Sequence, residues 1–228
     1  MTEQTDRKYY QVIRKGAVAE RLLVLARDRI YADLVRTFDP SPASTILDVG
    51  VSDVVNDAAN YLERLYPFPD RITACGLGRA PDFRESFPLV EYVQIEPDLP
   101  LPFRDQQFDL ATSNAVLEHV GSVLNQIRFL NELCRVGKRV FVSVPNRFFP
   151  VEHHTAIPFL HWTDGSFRVA CVALGKGEWR QERNLILMTR RRLAELLPRS
   201  RQWMIGYTGL PLGPLSSNLF AASQGRAR

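Results

Sequence analysis

The sequence predicts a doubly wound α/β fold: a mostly parallel seven-stranded sheet with helices on both faces and a C-terminal antiparallel hairpin. Three observations point there. Short apolar runs bounded by Gly, Pro or polar residues recur between residues 45 and 145, and they read as strands buried on both sheet faces. Helical patterns separate these runs, so strand and helix alternate as in right-handed crossovers of a parallel sheet. After a break, two further strand-like runs joined by a Pro- and Gly-rich loop read as a hairpin.

Each element follows from its own pattern. Val18, Leu22, Ala26, Ile30 and Leu34 recur every four residues, which puts them on one stripe of a helix, and "DPSP" at Asp39 to Pro42 stops it. "STILDVG" is the first strand, and Asn56 to Tyr66 a helix ended by "PFPD". "RITACGL" is the second strand, Pro81 to Ser86 a short helix, "VEYVQI" the third strand and "FDLATSN" the fourth. The next helix shows an apolar face of Val123, Ile127, Leu130 and Cys134, and the β-branched "KRVFVSVP" is the fifth strand. Asn146 to Glu182 breaks the rhythm with aromatics, His, Pro and Gly, around one weak helical stretch at Phe167 to Leu174. A helix from Arg190 to Leu197 follows, capped by Thr189, and "RQWMIGYTG" and "SSNLFAAS" form the closing hairpin.

The 228 residues fit one domain, residues 1–228, with an N-terminal helical segment (1–40) and an inserted segment (146–182) expected to cover the site. Hydrophobic residues make up 45% and charged residues 24%, as in an ordinary folded protein. The net charge of +4 is mild, and its 29 Lys and Arg are spread out except from Arg190 to Arg201, which argues against a nucleic-acid partner. Cys75, Cys134 and Cys171 lie far apart in apolar settings, so reduced thiols and a cytoplasmic protein are expected. "MTEQTDRKYY" lacks the apolar centre of a signal peptide, and no apolar run approaches the roughly 20 residues of a membrane span. No P-loop, Gly-x-Ser-x-Gly or Cys and His arrangement is present.

In an open α/β sheet, ligands collect beyond the carboxyl ends of the strands, where the strand order reverses. Asp48 and Gly50, Gly76 to Gly78, Glu96 to Asp98, and Ser113 and Asn114 end the first four strands. Asp48, Glu96 and Ser113 are expected to share one crevice there. "ILDVGVSD", "RITACGLG", "VQIEPDLPLPFRDQQFDLATSNAVLEHV" and "LCRVGKRVFVSVPN", in this order, resemble the class I, Rossmann-like S-adenosylmethionine-dependent methyltransferases. "NYLERLYP", "LEHVGS" and "PNRFFPVEHHTAIPFLHW" are similar to the methyltransferase type 11-like branch of that class. The resemblance covers Thr45 to Trp162, and "LPFRDQQFDLATSNAVLEHV" is its most specific part.

The resemblance implies S-adenosyl-L-methionine as cofactor. Its site would comprise Asp48, Gly50, Val51 and Ser52 from the first loop, Gly76 and Leu77 from the second, Glu96, Pro97 and Asp98 from the third, and Ser113 and Asn114 from the fourth. A carboxylate suits the ammonium of the methionine end, and glycine permits close backbone approach. Two departures stand out. The family's first loop is richer in glycine than "GVSDVV", though a cofactor without pyrophosphate requires fewer glycines. The acid expected after strand two is replaced by "GLGRAPDF", which removes a charge-assisted hydrogen bond of roughly 1.5–3 kcal/mol and puts Asp82, the next candidate, inside the following helix.

All four histidines, His119, His153, His154 and His161, fall between Glu118 and Trp162. His119 and His154 are the candidate bases at the mouth of the crevice, since an unperturbed imidazole can accept a proton near neutral pH. A metal site using Glu152 or Asp164 is set aside, because adjacent histidines do not easily converge on one ion and no Cys lies close; the reading includes no metal. The expected activity is methyl transfer to a small-molecule acceptor, with a catalytically inactive methyltransferase-like scaffold as the alternative. A nicotinamide-dependent enzyme is disfavoured, because "GVSDVV" leaves no room for a pyrophosphate at a helix start. The acceptor and the oligomeric state are left open.

Overall fold

Runs such as "TILDV" and "VFVSV" offer apolar side chains to both faces of a sheet at once, and the chain folds to cover both. The computed structural model describes residues 18–225. In chain order these form α1 (Val18–Phe38), β1 (Ile46–Val49), α2 (Tyr61–Leu65), β2 (Ile72–Gly76), α3 (Pro81–Ser86), β3 (Glu91–Gln94), β4 (Phe108–Asn114) and α4 (Val123–Val136). Then follow β5 (Gly137–Pro145), α5 (Asp164–Ala173), α6 (Arg190–Leu196), β6 (Met204–Thr208) and β7 (Asn218–Ser223). The sheet order is β3-β2-β1-β4-β5-β7-β6. The first five strands pair in parallel, and β7 runs antiparallel to both β5 and β6. This is the doubly wound sheet with a closing hairpin that the sequence predicts.

Alternation along the strands builds two apolar layers. Ile46, Ile72, Ala74, Leu110, Phe141 and Phe220 join Ile30, Leu34 and Phe38 of α1 and Leu62 of α2 on one face. Leu47, Cys75, Ala111, Val140, Val142 and Leu219 meet Leu130 and Leu133 of α4 and Leu193 and Leu196 of α6 on the other. Burying a Leu, Ile or Phe side chain contributes about 1.5–3 kcal/mol, so these two layers dominate the stability of the sheet. Cys75, Cys134 and Cys171 are all buried free thiols.

Three elements differ from the sequence expectation. The helix anticipated from Asn56 begins only at Tyr61, because Asn60 takes a left-handed backbone (φ 48°) and the Asn56 Oδ1 accepts from the Ala58 and Ala59 N–H groups to form a turn. On α4 the buried stripe is Gln126, Leu130, Leu133 and Cys134, while Val123 and Ile127 are 43% and 36% exposed. Gln126 takes the inner position by donating its amide to the Leu117 carbonyl and the Met188 sulfur. On α1, Leu22 is exposed and the stripe continues instead to Phe38. Residues 1–17 of the anticipated N-terminal segment lie outside the described residues. Elsewhere the boundaries agree closely: α3 matches residue for residue, and the Thr189 hydroxyl caps α6 by accepting from the Arg192 N–H.

Candidate active site

The strand order reverses between β1 and β4, and there the sheet top carries a cavity of about 120 Å³. Asp48, Gly50, Val51 and Ser52 line it from β1 and its loop, and Asn114 and Ala115 from the end of β4. Asn60 and Tyr61 close one side, and Glu20, Leu23 and Arg27 of α1 form another wall. Sequence reasoning missed that wall. Arg27 gave no signal, since it is one charge among many on a helix.

Gly50 is required where it stands. Its φ is +102°, and a Cβ there would lie 2.2 Å from the Val116 Cγ2. The loop after it is bound to itself: the Gly50 and Val51 N–H groups donate to the Cys75 carbonyl, Ser52 N–H to the Asn60 Oδ1, and Val54 N–H to the Ser52 hydroxyl. These amides therefore shape the cavity rather than face a ligand. Arg27 supplies positive charge, and its Nη1 donates to the Asn114 Oδ1 at 2.6 Å.

A buried acid, Asp48, lines the cavity. Burial pushes the Asp48 carboxyl up to about 7, opposed by a hydrogen bond from the Val49 N–H and by the Arg27 charge. Burial, and then Asp48 itself, push Glu63 well above the usual carboxylate range, and both Glu63 oxygens are buried without a hydrogen-bond partner. A cationic group seated against Asp48 would supply the charge compensation that the protein's interior withholds.

The other expected cofactor residues lie outside this cavity. Ser113 is buried, with its hydroxyl donating to the Val49 carbonyl at 2.8 Å, so it ties β4 to β1. Glu96, Pro97, Asp98 and Leu77 are exposed, and the Asp98 Oδ1 accepts from the Asn125 amide. Of Asp48, Glu96 and Ser113, expected to share one crevice, only Asp48 lines this cavity. Gly76 is buried, and a Cβ there would meet the Tyr92 hydroxyl at 2.7 Å and the Val51 carbonyl oxygen at 3.1 Å. Tyr92 donates that hydroxyl to the Gly78 carbonyl at 2.6 Å, so a phenol fills the space beside the missing strand-two acid. Asp82 lies in α3, as expected.

The histidines gather beside the end of β4. His119 sits on the turn Leu117–His119, and its Nε2 is 2.9 Å from the His154 Nε2. The His119 Nδ1 is 2.7 Å from the Asn184 carbonyl oxygen, and the His154 Nδ1 is 2.8 Å from the Glu152 Oε1. The second Glu152 oxygen accepts from the N–H groups of His154 and Thr155 and from the Thr155 hydroxyl. Neither imidazole lines the 120 Å³ cavity, and both His119 nitrogens are engaged, which differs from a base poised over the crevice mouth. Burial, and then His154, push the His119 pKa down to about 3. Burial pushes the Glu118 carboxyl up to about 7. The adjacent pair diverges: His153 turns to the Phe149 ring, 5.4 Å away between centroids, as His154 turns to His119.

No helix among the described residues is long and apolar enough to cross a membrane. No curated protein matches the sequence. Solved structures do match the fold. A SAM-dependent methyltransferase from Thermotoga maritima, described as a possible histamine N-methyltransferase, is 15% identical with a TM-score of 0.59, over 90% of each chain. A SAM-dependent methyltransferase from Methanosarcina mazei is 16% identical with a TM-score of 0.54, over 85% of this chain and 98% of that one. The N-methyltransferase NodS from Bradyrhizobium japonicum, in complex with S-adenosyl-L-homocysteine, is 10% identical with a TM-score of 0.54, over 87% and 86%. The model of a methyltransferase domain matches residues 16–197, which takes in every strand of the parallel sheet and both walls of the cavity. The chain belongs to this methyltransferase family, with the class I, Rossmann-like architecture.

Proposed function

We propose that the chain binds S-adenosyl-L-methionine in the cavity between the ends of β1 and β4 and transfers its methyl group to a small-molecule acceptor. The observation that carries this reading is the cavity at the switch point of the sheet, lined by the buried Asp48 carboxyl on one element and by Arg27 on another. When bound, the cofactor supplies a methyl group activated on a cationic sulfur. Asp48 fits the cofactor's ammonium, Arg27 its carboxylate, and Gly50 leaves the room that close approach of a ligand to the backbone requires. Asn114 and Ala115 line the strand-four side, where they would help hold the reactants in place.

The ledge formed by Gly76, Leu77, Glu96, Pro97 and Asp98 would carry the nucleoside end, with Tyr92 beside it in place of a strand-two carboxylate. Residues 146–182 would form the acceptor side of the same domain. Support for this comes from His154, which belongs to the insertion yet contacts the turn directly after β4. Calorimetric titration with S-adenosyl-L-homocysteine tests the reading. Saturable heat and a raised melting temperature are expected. Absence of both at millimolar ligand would overturn it and leave a scaffold in its place.

A further inference from the structure

We propose that Glu118, His119 and His154 form a site for one divalent transition-metal ion, ligated by the two imidazole Nε2 atoms and a Glu118 carboxylate oxygen. One ligand atom from each of the three lies within 4.8 Å of the others. This site is separate from the methyl-transfer reading and does not rest on it.

The tautomers follow from the partners. A carbonyl oxygen only accepts, so the His119 Nδ1, facing the Asn184 oxygen, carries hydrogen. Glu152 accepts along its whole carboxylate, so the His154 Nδ1 facing it carries hydrogen too. Two neutral rings so arranged aim two Nε2 lone pairs at each other across 2.9 Å. Something positive must stand between them, either an added proton or a metal ion.

Glu118 decides between these. It is 1% exposed, and neither of its oxygens has a hydrogen-bond partner, although the Oε1 lies 4.0 Å from the His119 Nε2. A proton shared by the imidazoles leaves both carboxylate oxygens without a partner; an ion bound by all three gives one of them a ligand bond and offsets the buried charge. Tetrahedral ligation with metal–nitrogen bonds of about 2.0–2.1 Å sets two nitrogens about 3.3 Å apart, a small opening of the observed pair. Glu152 and the Asn184 carbonyl already occupy the outer positions that orient metal-bound imidazoles. A cavity of about 10 Å³ lies against Glu118 and His154, with room for roughly one water.

Two imidazoles and one carboxylate suit zinc, iron, cobalt or manganese rather than calcium or magnesium, which take oxygen ligands. The ion would bind the insertion to the turn after β4, because His154 comes from one and Glu118 and His119 from the other.

The test uses the full chain, free of any affinity tag and stripped with a chelator that is then dialysed away. Zinc is titrated by calorimetry, and cobalt by its visible absorption. Binding of one equivalent is expected, with intense cobalt bands of tetrahedral type. His154→Gln and Glu118→Gln, checked for folding by circular dichroism, should each weaken binding by 100-fold or more, and Glu152→Gln by about 10- to 100-fold. If a variant fails to fold, the wild-type stoichiometry and cobalt spectrum decide. Absence of zinc and cobalt uptake by the wild type at millimolar metal overturns the proposal in favour of a shared proton. Uptake that His154→Gln and Glu118→Gln leave unchanged overturns it too. Titration of the same stripped protein with S-adenosyl-L-homocysteine reads the cofactor site independently.

Discussion

Asp48→Asn should make the protein more stable and the cofactor site worse, and the size of the first effect can be worked out. Burial raises the Asp48 carboxyl from 3.8 to about 7. Between those values the folded state holds a proton that the unfolded chain has released, so the Asp48 contribution to stability falls as pH rises from 4 to 7 and then levels off. At 1.36 kcal/mol per unit, the whole span is about 4 kcal/mol, of which about 3 kcal/mol falls between pH 5 and pH 8. Asparagine keeps the shape of the neutral acid and removes that slope. Urea unfolding of both proteins at pH 5 and pH 8 should therefore show the variant gaining about 3 kcal/mol on the wild type across the interval. Affinity for S-adenosyl-L-homocysteine should fall in the variant at pH 8. In the wild type it should weaken below pH 7, as a proton takes the place of the ligand's ammonium. Parallel stabilities of the two proteins across the pH range, or equal affinities at pH 8, would refute the reasoning.

Three other substitutions probe the frame. Gly50→Ala forces a side chain to φ +102° and against Val116, and should cost roughly 1–3 kcal/mol in urea unfolding while weakening S-adenosyl-L-homocysteine binding; unchanged stability would count against a fixed loop. Arg201 is 5% exposed and donates to the carbonyls of Cys134, Gly137 and Lys138 at 2.6–2.8 Å, so Arg201→Leu should cost more than about 3 kcal/mol in thermal or urea unfolding. Ser122→Ala removes the hydroxyl that accepts from the Asn125 N–H at the start of α4, an expected loss of about 1 kcal/mol in the same assay.

The strands were legible because burial on both faces demands unbroken apolar runs, and Ile72–Gly76 and Phe108–Asn114 carry that demand plainly. α2 was misjudged at its start because a single residue, Asn60, adopts a left-handed backbone that no periodicity records. The inner face of α4 was misjudged because it includes Gln126, whose partners Leu117 and Met188 come from elsewhere in the chain. The site divides in the same way. Asp48, Gly50, Val51 and Ser52 fall within five residues at the end of β1, so position along the chain was enough to place them at this cavity. Arg27 and Tyr92 reach the sheet top from elements without a motif, and His154 meets His119 across 35 residues. Convergence of that kind belongs to the folded chain, and spacing within one segment pointed away from it.

The wall contributed by α1 changes how the cavity must operate. Glu20, Leu23 and Arg27 belong to the N-terminal half of a helix that comes before the sheet in the chain, and Ala26, Ile30, Leu34 and Phe38 of the same helix are buried. One helix therefore both braces the sheet and walls the chamber, so a change in its packing is felt at both. The Arg27 hydrogen bond to Asn114 is where that shared duty meets the end of β4, and its loss would loosen the wall there.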